Sequence, residues 1–349
     1  MEKYRKDFPI LQKQIGGKPL IYLDNACMTL KPAQVIDKIN EYYNEYPACA
    51  GRSNHKLGAR VTDEVDKARK TTAKFFNVNK DEIIFTRNTT EGINLISRSL
   101  GLKRGDKVLT TDREHNSNLI PWQMHPLIKH EVIISNDDGS FSMEALKEKL
   151  TKDVKLLSIV HTSNLDGYTL PVKEIIKAAH NNDTLVMLDA AQSAPHKEVN
   201  LKKLDADFMS CSGHKMLGPT GVGILYGKKE LLGLMHPIFG GGDMIKEVYF
   251  DRFIEKNSPS KFESGTPNIA DVIAFTKAIE YLENIGMKNI EEHEKEITEY
   301  ALSRIKEIEN IKIYGPRELK NKAGIIAFNY FDDSGNLVHP HDVSTILDE

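Results

Sequence analysis

Residues 184–192, Thr-Leu-Val-Met-Leu-Asp-Ala-Ala-Gln, are the stretch of sequence that decides the fold. The stretch begins with a run rich in apolar residues that has the length of a buried strand, and a carboxylate and an amide follow it. Similar runs occur at 107–110 and 155–160, and apolar residues recur at helical spacing in between, as at 172–180. Strands that alternate with helices predict an α/β fold with a mostly parallel sheet covered by helices on both faces.

The composition bounds the class of protein. A chain of 349 residues with 40% hydrophobic residues can form one large domain or two medium ones. Its 47 basic and 50 acidic residues give a net charge of −3, so we expect no nucleic-acid partner. No apolar run is long enough to span a membrane, and the first residues lack the apolar segment of a secretion signal. The scattered cysteines favour a reducing compartment, so we expect a cytoplasmic protein with no membrane partner.

The pattern of apolar and charged residues changes near residue 271. Two long, highly charged helical patterns follow, at 273–285 and 290–308, and then a strand pattern at 323–329. We therefore predict a large domain over residues 17–275. A smaller domain is predicted to combine residues 1–16 with residues 276–349.

Polar residues at the ends of predicted strands are the candidates for a site, because ligands of open parallel sheets bind at the carboxyl ends of the strands. Asp189 follows one strand directly, although a helix N-cap would explain it equally well. Lys215 ends the segment Ser212-Gly213-His214-Lys215 after another strand. A partly desolvated lysine there would be nucleophilic, whereas the commoner alternative is a surface-loop lysine.

Two further candidates follow other strands. Thr89 and Thr90 lie at the start of a predicted helix, where hydroxyl groups and free N–H groups suit a phosphate, or where a threonine simply caps the helix. His115 follows the strand at 107–111 and could stack on a ring, transfer a proton or cap a turn. A phosphate site, a carboxylate, a lysine and a histidine together are what a pyridoxal 5'-phosphate site requires.

With these motifs the chain resembles the class V aminotransferases of pyridoxal-phosphate fold type I, and within them the cysteine desulfurases of the Suf type. The resemblance implies a large domain with a mostly parallel sheet flanked by helices, and a smaller α+β domain. It is carried by residues 22–26, 88–95, 114–118, 121–123, 161–164, 189–192, 212–215, 218–223 and 262–268.

The resemblance also implies roles for single residues. Lys215 would hold the cofactor covalently and move the substrate's α-proton, and His115 would stack on the ring and assist protonation. The residues implied in cofactor binding are Thr89, Thr90, His115, Asn164, Asp189, Gln192, Ser212, His214, Lys215 and, from a partner subunit, Thr266. Those implied in substrate binding are Arg52, Asn164, Ala26 and Cys27, and no metal is implied.

The implied activity is the conversion of L-cysteine to L-alanine, with transfer of the sulfur to an acceptor thiol. A homodimer, a sulfur-acceptor protein and a role in iron–sulfur cluster assembly come with it. Two alternatives stay open. One is a class V aminotransferase or lyase acting on another amino acid, and the other is an inactive relative that serves as a binding partner.

The sequence departs from the family in places. The family's nucleophilic cysteine, and an arginine that clamps the substrate carboxylate, lie beyond a segment like residues 339–348. This chain ends at Glu349, so we expect a truncated chain with an incomplete small domain. Cys27, Cys49 and Cys211 remain, and we expect none of them to carry a persulfide. Asn116, where close relatives of this branch have a second histidine, indicates a divergent member.

Overall fold

The computed structural model describes residues 1–316 and 318–349. Its strands are β1 (Gln14–Ile15), β2 (Lys18–Pro19), β3 (Ile83–Thr86), β4 (Lys107–Thr111), β5 (Lys129–Ile133), β6 (Val154–Val160), β7 (Leu185–Asp189), β8 (Phe208–Ser212), β9 (Gly223–Gly227), β10 (Ile245–Val248), β11 (Phe253–Glu255), β12 (Ile311–Tyr314) and β13 (Ala327–Tyr330). Its helices are α1 (Ala33–Glu45), α2 (Lys56–Phe75), α3 (Thr89–Ser99), α4 (Ile120–Gln123), α5 (Met143–Lys149), α6 (Val172–His180), α7 (Leu201–Leu204), α8 (Lys229–Leu234), α9 (Ile269–Ile285), α10 (Met287–Ile305) and α11 (Pro340–Asp348).

A seven-stranded sheet with the order β3-β9-β8-β7-β6-β4-β5 forms the centre of the chain. Strand β9 runs antiparallel to both of its neighbours, and the other pairs are parallel, so the predicted mostly parallel sheet is confirmed. In the register of the sheet Asp189 lies beside Val160 of β6 and Ser210 of β8. The end of β7 is therefore enclosed between two neighbouring strands.

Alternate residues of the inner strands enter two separate hydrophobic cores. Leu156 and Met187 belong to one core, which α3 covers with Ile93. Leu157 and Leu188 belong to the other, which includes Ile175 of α6. Because successive side chains of a strand point to opposite faces, a continuous apolar run in β6 or β7 buries residues on both faces of the sheet.

The C-terminal part differs in detail from the prediction. The helices begin at Ile269 and Met287, three or more residues earlier than expected, and the last strand is β13, which pairs antiparallel with β12. Helix α9 packs against α1 and α2 and continues across the predicted domain boundary at 275/276. The division into two domains stays a prediction. Within the described ranges, every helix is too short or too polar to cross a lipid bilayer.

Candidate active site

A cavity of about 450 Å³ opens at the carboxyl ends of β6, β7 and β8. Asp189 ends β7 and Ser212 ends β8, while His115 follows β4 and Lys215 lies in the turn after β8. The volume is within the range of small-molecule sites. The structure brings together most of the predicted site residues in its lining, namely Ala26, Cys27, Thr89, Thr90, His115, Asn164, Asp189, Gln192, Ser212, His214 and Lys215.

Lys215 is positioned by a tight turn. Residues Gly213–Lys215 form a single 3-10 turn after β8, and a Cβ on Gly213 would lie 2.8 Å from Val222 Cγ1, so the close approach requires glycine. Burial lowers the pKa of Lys215, although the nearby Asp189 carboxylate opposes this. A lower pKa increases the fraction of neutral amine, which is the form that attacks a carbonyl carbon.

The carbonyl oxygen of His214, one residue before Lys215, accepts hydrogen bonds from three donors. They are the N–H of Thr29 (3.2 Å), its Oγ1 (2.9 Å) and Lys31 Nζ (2.8 Å). The N–H of Leu217 in turn donates to Thr29 Oγ1 (3.0 Å). This network fastens residues 24–31, which contribute to the cavity wall, to the turn that carries Lys215. Sequence reasoning missed Thr29 and Lys31, and their only signal was their place directly after the motif at 22–26.

Asp189 is a buried carboxylate at the floor of the cavity. Its side chain accepts a hydrogen bond from the N–H of Ala191 (2.9 Å), and the residue is 3% exposed. Burial raises the pKa of Asp189, while the hydrogen bond from the Ala191 N–H and the nearby Lys215 oppose the rise. A cation placed against this carboxylate would stabilise its charged form.

The N-terminus of α3 forms another wall of the cavity. The helix begins at Thr89, with Asn88 as its N-cap. The hydroxyl groups of Thr89 and Ser212 lie 2.7 Å apart, as do those of Thr90 and Ser117. Hydroxyl groups and free N–H groups at the positive end of a helix suit an anion such as a phosphate.

His115 caps the short turn Asn116–Asn118 and faces the same cavity. Its Nδ1 accepts a hydrogen bond from the N–H of Ser117 (3.1 Å), and Ser117 Oγ lies 3.0 Å away. Ser117 connects the histidine to the first turn of α3, a role that sequence reasoning did not give it.

These residues fit pyridoxal 5'-phosphate. Gln192 and Asn164 line the cavity, and their side-chain oxygens Oε1 and Oδ1 are buried without a hydrogen-bond partner among the described residues. Such atoms need a donor, which a cofactor or substrate can supply. Asp189 can pair with a protonated pyridine nitrogen, and the N-terminus of α3 can hold the phosphate.

Two predicted site residues lie outside this cavity. Arg52 is exposed and its Nε pairs with Asp243 at 2.6 Å. Thr266 lies in the loop before α9. Cys49 is exposed and lies outside the cavity lining, whereas Cys211 is buried in β8, where burial raises the pKa of its thiol. The described part of the chain contains no cluster of three or more metal-ligating side chains.

Comparisons with known proteins identify the family. The family model described as "Aminotransferase class-V" matches residues 21–349. A probable cysteine desulfurase from Synechocystis sp. is 42% identical over 353 residues, which cover 99% of this chain and 83% of that protein. A second one, from Halalkalibacterium halodurans, is 42% identical and covers 99% of this chain and 84% of its own length.

Comparison with solved structures gives the same family. The apo structure of a cysteine desulfurase from Thermococcus onnurineus NA1 superposes with a TM-score of 0.92 at 38% identity, covering 99% of this chain and 85% of that one. The cysteine desulfurase CsdA from Escherichia coli gives a TM-score of 0.89 at 32% identity, with the same coverage. The chain belongs to the aminotransferase class-V family. Its fold is pyridoxal-phosphate fold type I, and the family depends on that cofactor.

Proposed function

We propose that this chain is a pyridoxal-phosphate-dependent cysteine desulfurase, which converts L-cysteine to L-alanine and passes the sulfur to an acceptor thiol. The observation that carries the proposal is the cavity that Lys215 shares with the buried Asp189, in a chain 42% identical to probable cysteine desulfurases over nearly its whole length.

The side chains around the cavity divide into groups by what they would hold. Thr89, Thr90, Ser212 and His214 would bind the phosphate, since the first two lie in the first turn of α3. Asp189 would pair with the ring nitrogen, and His115 and Gln192 would contact the ring and its oxygen substituent. The bound cofactor supplies an electron sink that stabilises negative charge at the substrate α-carbon.

Lys215 would hold the cofactor and then take and return the proton at the substrate's Cα. Its lowered pKa favours the neutral amine that can accept this proton. Burial likewise lowers the pKa of His214, which favours the neutral ring, a form that can donate a hydrogen bond without adding charge. Asn164 would orient the substrate with its amide, while Ala26 and Cys27 would form the wall beside it.

We assign Arg52 and Thr266 to the cavity of a partner subunit in a homodimer. The two lie close together on the surface, because Gly242 accepts a hydrogen bond from the N–H of Gly265 (2.8 Å), and a Cβ placed on Gly242 would lie 3.0 Å from Arg52 Nη2. The hairpin β10–β11 continues from the same region. It exposes a set of large apolar side chains that a partner would cover: Val248, Tyr249, Phe250, Phe253 and Ile254.

A sulfur-acceptor protein, a place in iron–sulfur cluster assembly and a cytoplasmic location complete the proposal. They rest on the resemblance to desulfurases of the Suf type, and on the near-neutral charge and scattered free cysteines of the chain.

Product analysis tests the proposal. The protein is incubated with pyridoxal 5'-phosphate, L-cysteine and a thiol reductant, and alanine, sulfide and pyruvate are measured. We expect alanine and sulfide in equal amounts, and neither from Lys215→Ala. Pyruvate in place of alanine would indicate a lyase. Formation of an oxo acid from another amino acid would indicate an aminotransferase. Cofactor binding without any turnover would indicate an inactive relative.

A further inference from the structure

Glu114, directly before His115, is a buried carboxylic acid that does not line the cavity. Its Oε1 accepts hydrogen bonds from Thr111 Oγ1 (2.6 Å), the N–H of Thr111 (3.3 Å) and the N–H of Val160 (3.0 Å). Its Oε2 accepts one from Asn118 Nδ2 (2.6 Å). Because Thr111 ends β4 and Val160 ends β6, the carboxylate joins two strand ends to the turn that follows β4.

The orientation of the Asn118 amide is fixed. Asn118 Oδ1 accepts hydrogen bonds from Trp122 Nε1 (3.2 Å) and Ser158 Oγ (2.6 Å). An indole N–H can only donate, so reversing the amide would set its NH2 group against Trp122. Asn118 Nδ2 therefore faces Glu114, and residue 114 has to present an acceptor at this place.

The turn between these two residues carries side chains of the cavity wall. His115 and Ser117 lie between Glu114 and Asn118, and the hydroxyl of Ser117 contacts Thr90 Oγ1 (2.7 Å) in the first turn of α3. Anchoring both ends of so short a turn fixes where the imidazole of His115 lies relative to the helix N-terminus.

We propose that Glu114 is a positioning residue, which through Asn118 fixes the turn that holds His115 and Ser117 against the cofactor cavity. The inference rests on the proposed function in one respect, that this cavity binds pyridoxal 5'-phosphate. Cysteine as the substrate is not needed for it.

The electrostatics show that the network holds the carboxyl group at a cost. Burial raises the pKa of Glu114 to about 8, and the negative charge of Asp189 adds to the rise, whereas the hydrogen bonds from Thr111, Asn118 and Val160 oppose it. Above this pH the side chain is a carboxylate that accepts from all of these donors. An acid is retained in an apolar interior, where a nonpolar residue would cost less. The donors around Glu114 require an acceptor at this position. Exchanging the donor and the acceptor between positions 114 and 118 tests that requirement.

At about pH 9, above the pKa of Glu114, where the cofactor Kd and the urea unfolding are measured, Glu114→Gln introduces an NH2 group with two N–H donors where only acceptors fit. The amide oxygen of the new side chain has to face the N–H groups of Thr111 and Val160, so its NH2 group meets Asn118 Nδ2. The double variant Glu114→Gln/Asn118→Asp exchanges donor and acceptor. It restores the hydrogen bond between positions 114 and 118, and a carboxylate oxygen at position 118 can still accept from Trp122 and Ser158. It also keeps one buried carboxylate in the network.

The matched control is Asp207→Asn. Asp207 is also a buried carboxylate that accepts a backbone hydrogen bond, from the N–H of Val186 (2.8 Å); unlike Glu114, it also pairs with Lys228 Nζ (2.8 Å) and lies 2.8 Å from His180 Nε2. It lies just before β8, at the edge of the sheet opposite the cavity. Substitution there tests the general effect of removing a buried acid from this sheet.

Three quantities are measured on each variant. They are the Kd of pyridoxal 5'-phosphate, the urea unfolding of the cofactor-free protein, and the titration of the His115 imidazole by NMR with isotope-labelled histidine. We expect Glu114→Gln to weaken cofactor binding about tenfold and to shift the His115 titration, because an unpaired buried donor loosens the turn. The double variant is expected to return to within about threefold of the original Kd. Asp207→Asn is expected to lower stability alone.

Two results would overturn the proposal. One is a Glu114→Gln protein that is destabilised like Asp207→Asn but keeps its cofactor Kd and its His115 titration. The other is a double variant no better than either single one. If Glu114→Gln does not fold, Asn118→Asp and the double variant are compared in its place, and the double variant has to bind the cofactor more tightly. Failure of the wild-type protein to release alanine from cysteine would refute the proposed function and leave this comparison valid.

Discussion

Replacing Lys31 by methionine separates the cost of a half-buried charge from its contribution to the site. Lys31 Nζ donates to the carbonyl oxygens of His214 (2.8 Å) and Thr29, so the variant loses a charged donor and keeps an apolar stem. Burial lowers the pKa of Lys31 from 10.5 to about 8. The side chain is therefore held at this place against a desolvation penalty.

For the stability of the folded protein, the desolvation penalty of the Lys31 charge and the gain from its hydrogen bonds nearly cancel. The lowered pKa corresponds to at most about 3–4 kcal/mol against the charged form, at about 1.4 kcal/mol per pH unit. Partial exposure screens the charge, so we take about 1–2 kcal/mol. The lost hydrogen bonds contribute a similar amount in the opposite direction, about 1–3 kcal/mol. We expect the free energy of unfolding of Lys31→Met at pH 7 to change by about 1 kcal/mol or less.

The lowered pKa of Lys31 determines how the free energy of unfolding changes with pH. Between the folded-state pKa of about 8 and the unfolded value near 10.5, the unfolded chain still binds a proton at Lys31 that the folded chain has lost. The penalty is fully present below this window, and the free energy of unfolding rises with pH through it. Lys31→Met lacks this contribution, so the difference between the two proteins changes across the window.

Urea unfolding at several pH values, together with the Kd of pyridoxal 5'-phosphate, measures both effects. We expect the Kd to rise about fivefold, because one of the donors on the His214 carbonyl is gone. Lys322→Met is the control, since Lys322 is buried and its Nζ donates to the carbonyl of Asp166 (2.7 Å), away from the cavity. An unchanged Kd in Lys31→Met, or the same loss in Lys322→Met, would refute the reasoning. Parallel pH profiles of wild type and Lys31→Met would refute the electrostatic part.

Three further variants test other parts of the account. Asp189→Asn removes the buried charge but not the volume, so we expect cysteine turnover to fall about 100-fold, and near-normal turnover in steady-state kinetics would contradict this. Arg69→Met breaks the bidentate pair with Glu263 (2.8 and 2.7 Å), whose side chains are 13% and 15% exposed, and should lower the urea unfolding free energy by about 3 kcal/mol. A loss below about 1 kcal/mol would show the pair to be solvent-screened. Phe250→Asp adds a charge to the exposed apolar hairpin. Light scattering should then show monomers, and their cysteine turnover should be reduced. An intact dimer would contradict the proposal that a partner subunit covers this hairpin.

The sheet and the place of the site could be predicted because their signals are local. The apolar run before Asp189 marks a strand buried on both faces, and Ser212 and His115 follow strands in the same way. All of them meet at one edge since the carboxyl ends of parallel strands lie together. The direction of β9 was not predictable, because nothing in Gly223–Gly227 itself distinguishes an antiparallel strand.

The supporting residues could not be predicted since their roles depend on distant partners. Thr29 and Lys31 act on the carbonyl of His214, far along the chain, and no periodicity marks them. Glu114 was visible as part of a motif, but its partner Val160 is set by strand order and register. Arg52 matched a family position by sequence, and only the packing shows that its charge pairs with Asp243 outside the cavity.

The central claim is that the cavity of Lys215 binds pyridoxal 5'-phosphate covalently through this lysine. The direct measurement is borohydride reduction of the cofactor-loaded protein, followed by proteolysis and mass spectrometry of the peptides. The account predicts a phosphopyridoxyl group on the peptide that contains Lys215, and on no other lysine, including the half-buried Lys31. Modification of another lysine with Lys215 unmodified, or no modification at all, would contradict it.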